Sequence, residues 1–194
     1  KPVIFGCTGT EAQDYMNPML LKNILGLKVN VVQGYKGSKD VNLAMEKGEV
    51  QAMSNSWGSV KARLHSWLDK KEAIPVAMVG MTPAPDEPNV PTPLSLAKNK
   101  DDRAVLELMA STTGVGRAFA TPPGAPAARL AALRKAFKAT YDDPKFQADA
   151  KKRNMDMEYM SGEEVEKMVR NTIHAPKSVV RRFEEAIELK GAHS

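Results

Sequence analysis

The sequence is short of the residue types that carry most enzyme chemistry. It has one cysteine, Cys7, so it forms no internal disulfide and offers no cysteine cluster to a metal. Its three histidines, His65, His174 and His193, lie far apart and in no metal-ligand spacing. No pair of acid and base is evident, so an enzyme built on Cys7 or His65 is a weak reading. Aromatic residues make up only 6%, and the basic residues alternate with acidic ones, as in Lys145 to Arg153 and Arg181 to Lys190. That pattern lacks the basic stripe with interleaved aromatics of a nucleic-acid surface. No apolar run approaches the roughly 20 residues that span a bilayer. What remains is ordinary globular material, 42% hydrophobic and 26% charged over 194 residues, enough for one good core or two small lobes. A net charge of +5 favours anionic small ligands through the overall field. The eleven methionines scatter through apolar positions and read as core filler.

The stretch Val29 to Gly58 organises the rest. Val29, Val31 and Val32 form a β-branched run suited to a buried strand. The chain then breaks at Gly34-Tyr35-Lys36-Gly37-Ser38. Ser38 is the expected N-cap of a helix over Lys39 to Lys47, and Gly48 is its stop. Val50 to Met53 begins a second strand. In a parallel sheet the turns after both strands share one edge, where open α/β folds bind their ligands. Helix N–H groups and close-approaching glycine backbone make such an edge receptive to anions. The alternative reading of Gly37-Ser38 is a plain helix start.

In chain order, Val3 to Phe5 predicts a strand, Gly6 to Thr10 a small-residue turn, and Glu11 to Leu25 a helix ended by Gly26 and interrupted by Pro18. Cys7 at the foot of that helix has the placing of a nucleophile but lacks a base. After Met53, the turn Ser54 to Gly58 leads into a helix over Ser59 to Lys70, with Val60, Leu64, Trp67 and Leu68 inward. His65 lies off that face, toward solvent. Trp57 either lines a cleft or caps the core. Ile74 to Val79 predicts a fourth strand. The first part thus reads β-α-β-α-β-α-β, a parallel α/β lobe. Five prolines between Met81 and Pro93 mark an irregular crossing segment. Beyond it come a helix from Asp101, a short strand over Gly116 to Thr121, and a helix over Pro126 to Tyr141 striped by Leu130, Leu133, Phe137 and Tyr141. A helix from Asp143-Pro144, a capping-box helix from Ser161 with Val165, Met168, Val169 and Ile173 inward, and a last helix from Pro176 follow. This surplus of helices needs a surface to pack on.

Three stretches carry a family resemblance: GYKGSKDVNLAMEKGEVQA from Gly34 to Ala52, GRAFATPPGAPAARLAALRKAF from Gly116 to Phe137, and DPKFQADAKK with MSGEEVEKMV from Asp143 to Val169. Their order and separations resemble the substrate-binding receptors of tripartite tricarboxylate transporters, the TctC or Bug family. The combination, more than any one motif, is specific, and it covers nearly the whole chain. The resemblance implies an α/β fold of the type II periplasmic-binding-protein kind. Residues 1–80 would be its parallel-sheet second lobe, 81–115 a proline-rich crossing segment and helix, and 116–194 a return strand and helical tail packing on the first lobe. Lys1 looks aligned with the start of the second lobe, so the front segment is expected to be missing or reduced. The family's mode of binding, carried over, places an organic carboxylate against Thr8, Gly9 and Thr10, against Tyr35, Lys36, Gly37 and Ser38, and against Asn55, Ser56 and Trp57. Cys7, Glu11 and Gln51 depart from what the family leads one to expect beside an anion.

The resemblance implies a non-catalytic periplasmic receptor that needs no cofactor, metal or nucleic acid. It would capture a dicarboxylate, tricarboxylate or aromatic acid and deliver it to membrane transporter subunits, with homodimerisation through the tail helices an open alternative. The runner-up is the ligand-sensing domain of a transcription regulator, which shares the two-lobed architecture but not the tail from Gly116 to Val169. A degenerate receptor serving as an interaction module is a further alternative.

Overall fold

Short β-branched runs between glycine turns form the sheet. In the computed structural model, which describes residues 1–115, 118–153, 155 and 157–188, strands β1 (Val3–Gly6), β2 (Val29–Val32) and β3 (Ala52–Met53) make a parallel sheet in the order β2-β1-β3. Val3 pairs with Val29 and Gly6 with Val32, while Phe5 pairs with Ala52. The edge is extended by Gln51, whose N–H donates to the Ile4 carbonyl at 2.9 Å and whose side-chain oxygen accepts from the Ile4 N–H at 3.1 Å. Gln51 is therefore a sheet-edge residue.

Helix α1 (Gln13–Asn23) links β1 to β2, and α2 (Ser38–Glu46) links β2 to β3. Helix α1 runs through Pro18, which is fully buried in its middle. Gly26 ends this segment at φ +75°, a left-handed turn in which Gly26 and Leu27 N–H groups donate to Lys22 and Leu21 carbonyls. Ser38 is not the N-cap of α2. Gly37 holds that place in extended conformation, and its carbonyl accepts from the Asp40 and Val41 N–H groups.

Two further expectations are corrected. The helix over Ser59 to Lys70 is two short ones, α3 (Trp57–Arg63) and α4 (His65–Asp69), broken at Leu64. Ile74 to Val79 is no strand. Pro75 lacks a donor, Ile74 and Val76 are exposed, and the Met78 N–H donates to Pro91 of the proline-rich segment at 2.9 Å. That segment closes in a 3-10 turn, Pro93–Leu96, capped by the buried Thr92 hydroxyl, which accepts from Ser95 N–H at 3.1 Å.

The remaining chain is helical: α5 (Lys100–Gly114), α6 (Ala127–Asp142), α7 (Pro144–Lys152), α8 (Gly162–Ile173) and α9 (Lys177–Ala186). The capping box of α8 forms as read, with Ser161 and Glu164 exchanging bonds. Asp143 caps α7 by accepting from Lys145 and Phe146 N–H groups. The expected strand from Gly116 falls partly on residues outside those described, and 118–121 are in no strand.

The chain divides into two compact units. The first joins Lys1–Ser56, Pro75–Thr113 and Ala175–Ser194, and the second joins Trp57–Ile74 and Gly114–His174. The core of the first gathers Cys7, Leu20, Leu21, Val105, Leu106, Met109 and Ile187, with α9 packed on α1. Asn23 donates to the Ala186 carbonyl at 2.7 Å. The buried Asp102 accepts from Asn99 at 2.8 Å and pairs with Arg182 of α9. In the second unit the faces expected inward on α6 and α8 are covered in part: Leu130, Tyr141, Val165 and Met168 are half-buried, while Leu133, Phe137, Val169 and Ile173 are exposed. Among the described residues no helix is long and apolar enough to cross a membrane.

Candidate functional site

Three turns leave the carboxyl ends of three parallel strands, so they share one edge of the sheet of the first unit. Thr8, Gly9 and Thr10 follow β1. Tyr35, Lys36 and Gly37 follow β2, with Ser38 opening α2. Asn55 and Ser56 follow β3. Nine of the ten expected residues therefore lie in the first unit, and the tenth, Trp57, opens α3 in the second. There the Lys61 ammonium lies 5.8 Å from its ring centroid, within cation–π range.

Backbone bonds stitch the first two turns together. The Cys7 N–H donates to Val32 at 2.9 Å, and the Tyr35 N–H donates to Cys7 at 3.4 Å. Packing adds to this. A Cβ on Gly6 would sit 3.0 Å from Val41, 3.2 Å from the Tyr35 ring and 3.3 Å from Val50, so only glycine lets α2 and Tyr35 lie this close on β1. Tyr35 is thus held by the sheet through its ring. Gly37 has open space where a Cβ would go, as does Gly9.

Two residues that sequence reasoning missed shape the site. Asp14, in the first turn of α1, accepts from the Thr8 N–H at 2.9 Å and from the Thr8 hydroxyl at 3.1 Å. An internal carboxylate therefore already takes both donors of Thr8. Asn17 donates to the Ser54 hydroxyl at 2.9 Å and anchors the turn after β3. The sequence signal was the spacing: Asp14 and Asn17 are three apart, on one side of the helix that follows the Thr8 turn. The turn after β3 is further shaped by the Asn55 side chain, which accepts from Ser56 N–H at 2.9 Å.

The turn after β2 differs. Among the described residues no hydrogen bond or ion pair engages the Lys36 ammonium or the Ser38 hydroxyl, and both side chains are exposed. Beside them, the first turn of α2 presents N–H groups that lack intrahelical acceptors. This turn therefore offers an anion both charge and directed donors.

Cys7 joins β1 to the Thr8 turn, but its side chain is not exposed at the site. It is fully buried in the core, and burial, then the charge of Asp14, push its thiol up to about 11. A thiol held protonated at neutral pH is no nucleophile. Glu11 and His65 are exposed. Among the described residues no group of three His, Cys, Asp or Glu side chains is placed to hold a metal ion.

Solved structures share this architecture. The chain superposes on a TctC solute-binding protein from Polaromonas, solved without ligand, with a TM-score of 0.60 at 17% identity, covering 93% of this chain and 57% of that one. It superposes on R. palustris Rpa4515 with adipate with a TM-score of 0.58 at 15% identity, covering 97% of this chain and 57% of that one. The fold is shared with TctC-type solute-binding proteins. The α/β class with its parallel sheet stands on that likeness, and the chain spans rather more than half the length of each neighbour. No family model matches the sequence, and none of the curated proteins matches it.

Proposed function

We propose that this chain belongs to an extracytoplasmic receptor that captures an organic carboxylate without chemical change and presents it to a tripartite tricarboxylate transporter. The observation that carries the reading is the turn at Lys36–Ser38, a charged, donor-rich turn at the carboxyl edge of a parallel sheet in a solute-binding fold. A neighbour of that fold was solved with adipate, which makes a dicarboxylate the first ligand to test. In this reading Lys36 supplies charge, while the Ser38 hydroxyl and the backbone around Gly37 supply directed donors. Asp14 keeps the Thr8 turn from competing for the same anion. Binding draws on a preformed backbone nest more than on side chains, so the site discriminates by shape and carboxylate spacing.

Gly37→Val tests the assignment. Gly37 has φ −178°, an extended conformation that valine adopts freely, and nothing lies within 4 Å of its Cβ position. The variant should fold as the wild type does while blocking close approach of a carboxylate to the turn. Amide NMR of the wild-type chain with millimolar adipate should shift Gly37, Ser38 and Lys39. The same titration of Gly37→Val should leave them in place. Equal shifts in both proteins, or none in the wild type with adipate, succinate and citrate alike, would sink the site.

A further inference from the structure

Two neighbouring turns of the first unit carry opposite charges, and neither charge is paired. β1 is the middle strand, so the Thr8 turn sits at the centre of the sheet edge with the Lys36 turn beside it. The bond from the Tyr35 N–H to the Cys7 carbonyl, 3.4 Å long, joins the bases of these two turns. One turn presents the Lys36 ammonium. The other is held by the Asp14 carboxylate, whose two oxygens accept from the Thr8 N–H at 2.9 Å and the Thr8 hydroxyl at 3.1 Å. Among the described residues no cationic side chain pairs with Asp14, Lys36 included, so its negative charge stands uncompensated. That charge is felt around it: after burial, it is the second cause that raises the Cys7 thiol. Asp14 is half-buried, not sealed in the core. A carboxylate has about four acceptor positions, and Thr8 leaves some of them open to a further donor.

We propose that Asp14 is a specificity-determining residue of the carboxylate site: it favours a ligand with one carboxylate, held at Lys36–Ser38, whose other end is a hydrogen-bond donor, best a cationic one. The inference rests on the reading of Lys36–Ser38 given above and names the ligand class within it. A ligand anchored at that turn and lying along the edge meets the Thr8 turn next. There both donors of Thr8 are already taken by Asp14, so a second carboxylate finds a like charge and loses the hydrogen bonds it would need. An ammonium or hydroxyl at the same place finds open acceptor positions on a charged group, the stronger kind of hydrogen bond. Selection of this sort comes from the ligand turned away as much as from the one held.

The test uses three four-carbon acids that differ at the far end: succinate, 4-hydroxybutanoate and 4-aminobutanoate, with charges there of minus one, zero and plus one. Their length suits the spacing of about 4.8 Å between neighbouring strands. Each is titrated into the 194-residue chain while the Gly37, Ser38 and Lys39 amides are followed by NMR. 4-Aminobutanoate should bind about tenfold more tightly than succinate, with 4-hydroxybutanoate between them, at about threefold for each unit of charge. Asp14→Asn keeps the shape of the side chain and an acceptor for Thr8 but removes the charge. The variant should tighten succinate about threefold, weaken 4-aminobutanoate about threefold and leave 4-hydroxybutanoate near its wild-type affinity. If the bonds to Thr8 only brace the turn, the variant moves all three acids alike, and the proposal is overturned. A wild type that ranks the three acids without regard to charge also overturns it, and that result needs no variant. In both cases the amides still shift, so the site reading survives. No shift with any of the three acids overturns the site reading, and the proposal with it.

Discussion

Both units are built from capped, regular helices, yet the first buries their apolar side chains far more fully. In the first, α1, α5 and α9 bring Leu20, Val105, Leu106 and Ile187 together out of solvent, and beside exposed pairs such as Arg103 with Glu107 it holds one with a buried partner, Asp102 with Arg182. In the second, the described residues include just two buried apolar side chains, Leu64 and Ala150. Its charged contacts lie at the surface: Arg134 with Glu163 at 2.7 Å, Arg170 with Glu166 at 3.0 Å and Arg153 with Asp149 at 2.8 Å. Aromatic residues in it touch one another, Phe119 on Phe137 at 5.3 Å and Tyr141 on Tyr159 at 5.2 Å, and the first pair is exposed while the second is half-buried. Exposed ion pairs of this kind contribute little. Caps and periodicity are enough to make a helix in either unit. What separates the units is whether an apolar face has something to bury against.

The sharpest way to break the comparison is to make a hole in the first core. Leu106 is fully buried among Leu20, Val105 and Ile187. Leu106→Ala should lower stability by about 2–5 kcal/mol, measured by urea unfolding of the first unit's signal. A loss below about 1 kcal/mol would mean that this core is no better packed than the second unit.

A smaller effect comes from Cys7, which titrates inside the same core. Its folded-state pKa, about 11, lies above the ordinary thiol value of 9.0. The folded state therefore binds the proton more tightly, so this contribution is fully present below pH 9 and is lost as pH rises through about 11. A rise of that size corresponds to at most about 2–3 kcal/mol. The wild type should lose stability relative to Cys7→Ala across that window, and the difference should be flat from neutral pH to its start. Parallel pH profiles would show that the thiol is not buried from water as the structure has it. Tyr15 is also raised, by burial, then by the charge of Glu188 and then by that of Cys7, so the difference between the two proteins includes the small part of the Tyr15 shift that Cys7 causes.

Local signals were legible in the sequence and tertiary ones were not. The strands at Val3 and Val29, the stop at Gly26, the capping box at Ser161 and the cap at Asp143 follow from residue chemistry within a few positions. The shared edge of the three turns followed as well, because glycine turns after β-branched runs fix where a parallel sheet opens. Three readings failed for want of long-range information. Ile74–Val79 has strand composition but no neighbour to pair with among the described residues. Ser38 has capping chemistry, but the chain enters α2 one residue earlier in extended form. The stripes of α6 and α8 have the right period but are covered only in part among the described residues, and period alone does not say how far a face is covered. Asp14 escaped for another reason: an acidic residue in a first helical turn reads as dipole complement, and its hold on Thr8 shows only in three dimensions.

The smallest expected effect is the most direct on the comparison. Phe137 is larger than Leu106 and stands in the middle of a regular helix, so by size alone its removal should cost more. Its ring, however, is half in water, with Phe119 and Tyr159 beside it at 5.3 and 6.3 Å between centroids. Phe137→Ala opens no closed cavity, because the side chain is already exposed, and alanine raises the helix propensity at that position. The two effects nearly offset, so the change in stability should stay within about 0.5–1 kcal/mol, by the same urea titration. A loss matching that of Leu106→Ala would show that in solution the face of α6 is covered within these 194 residues, and the difference between the units would then be one of placement and not of packing.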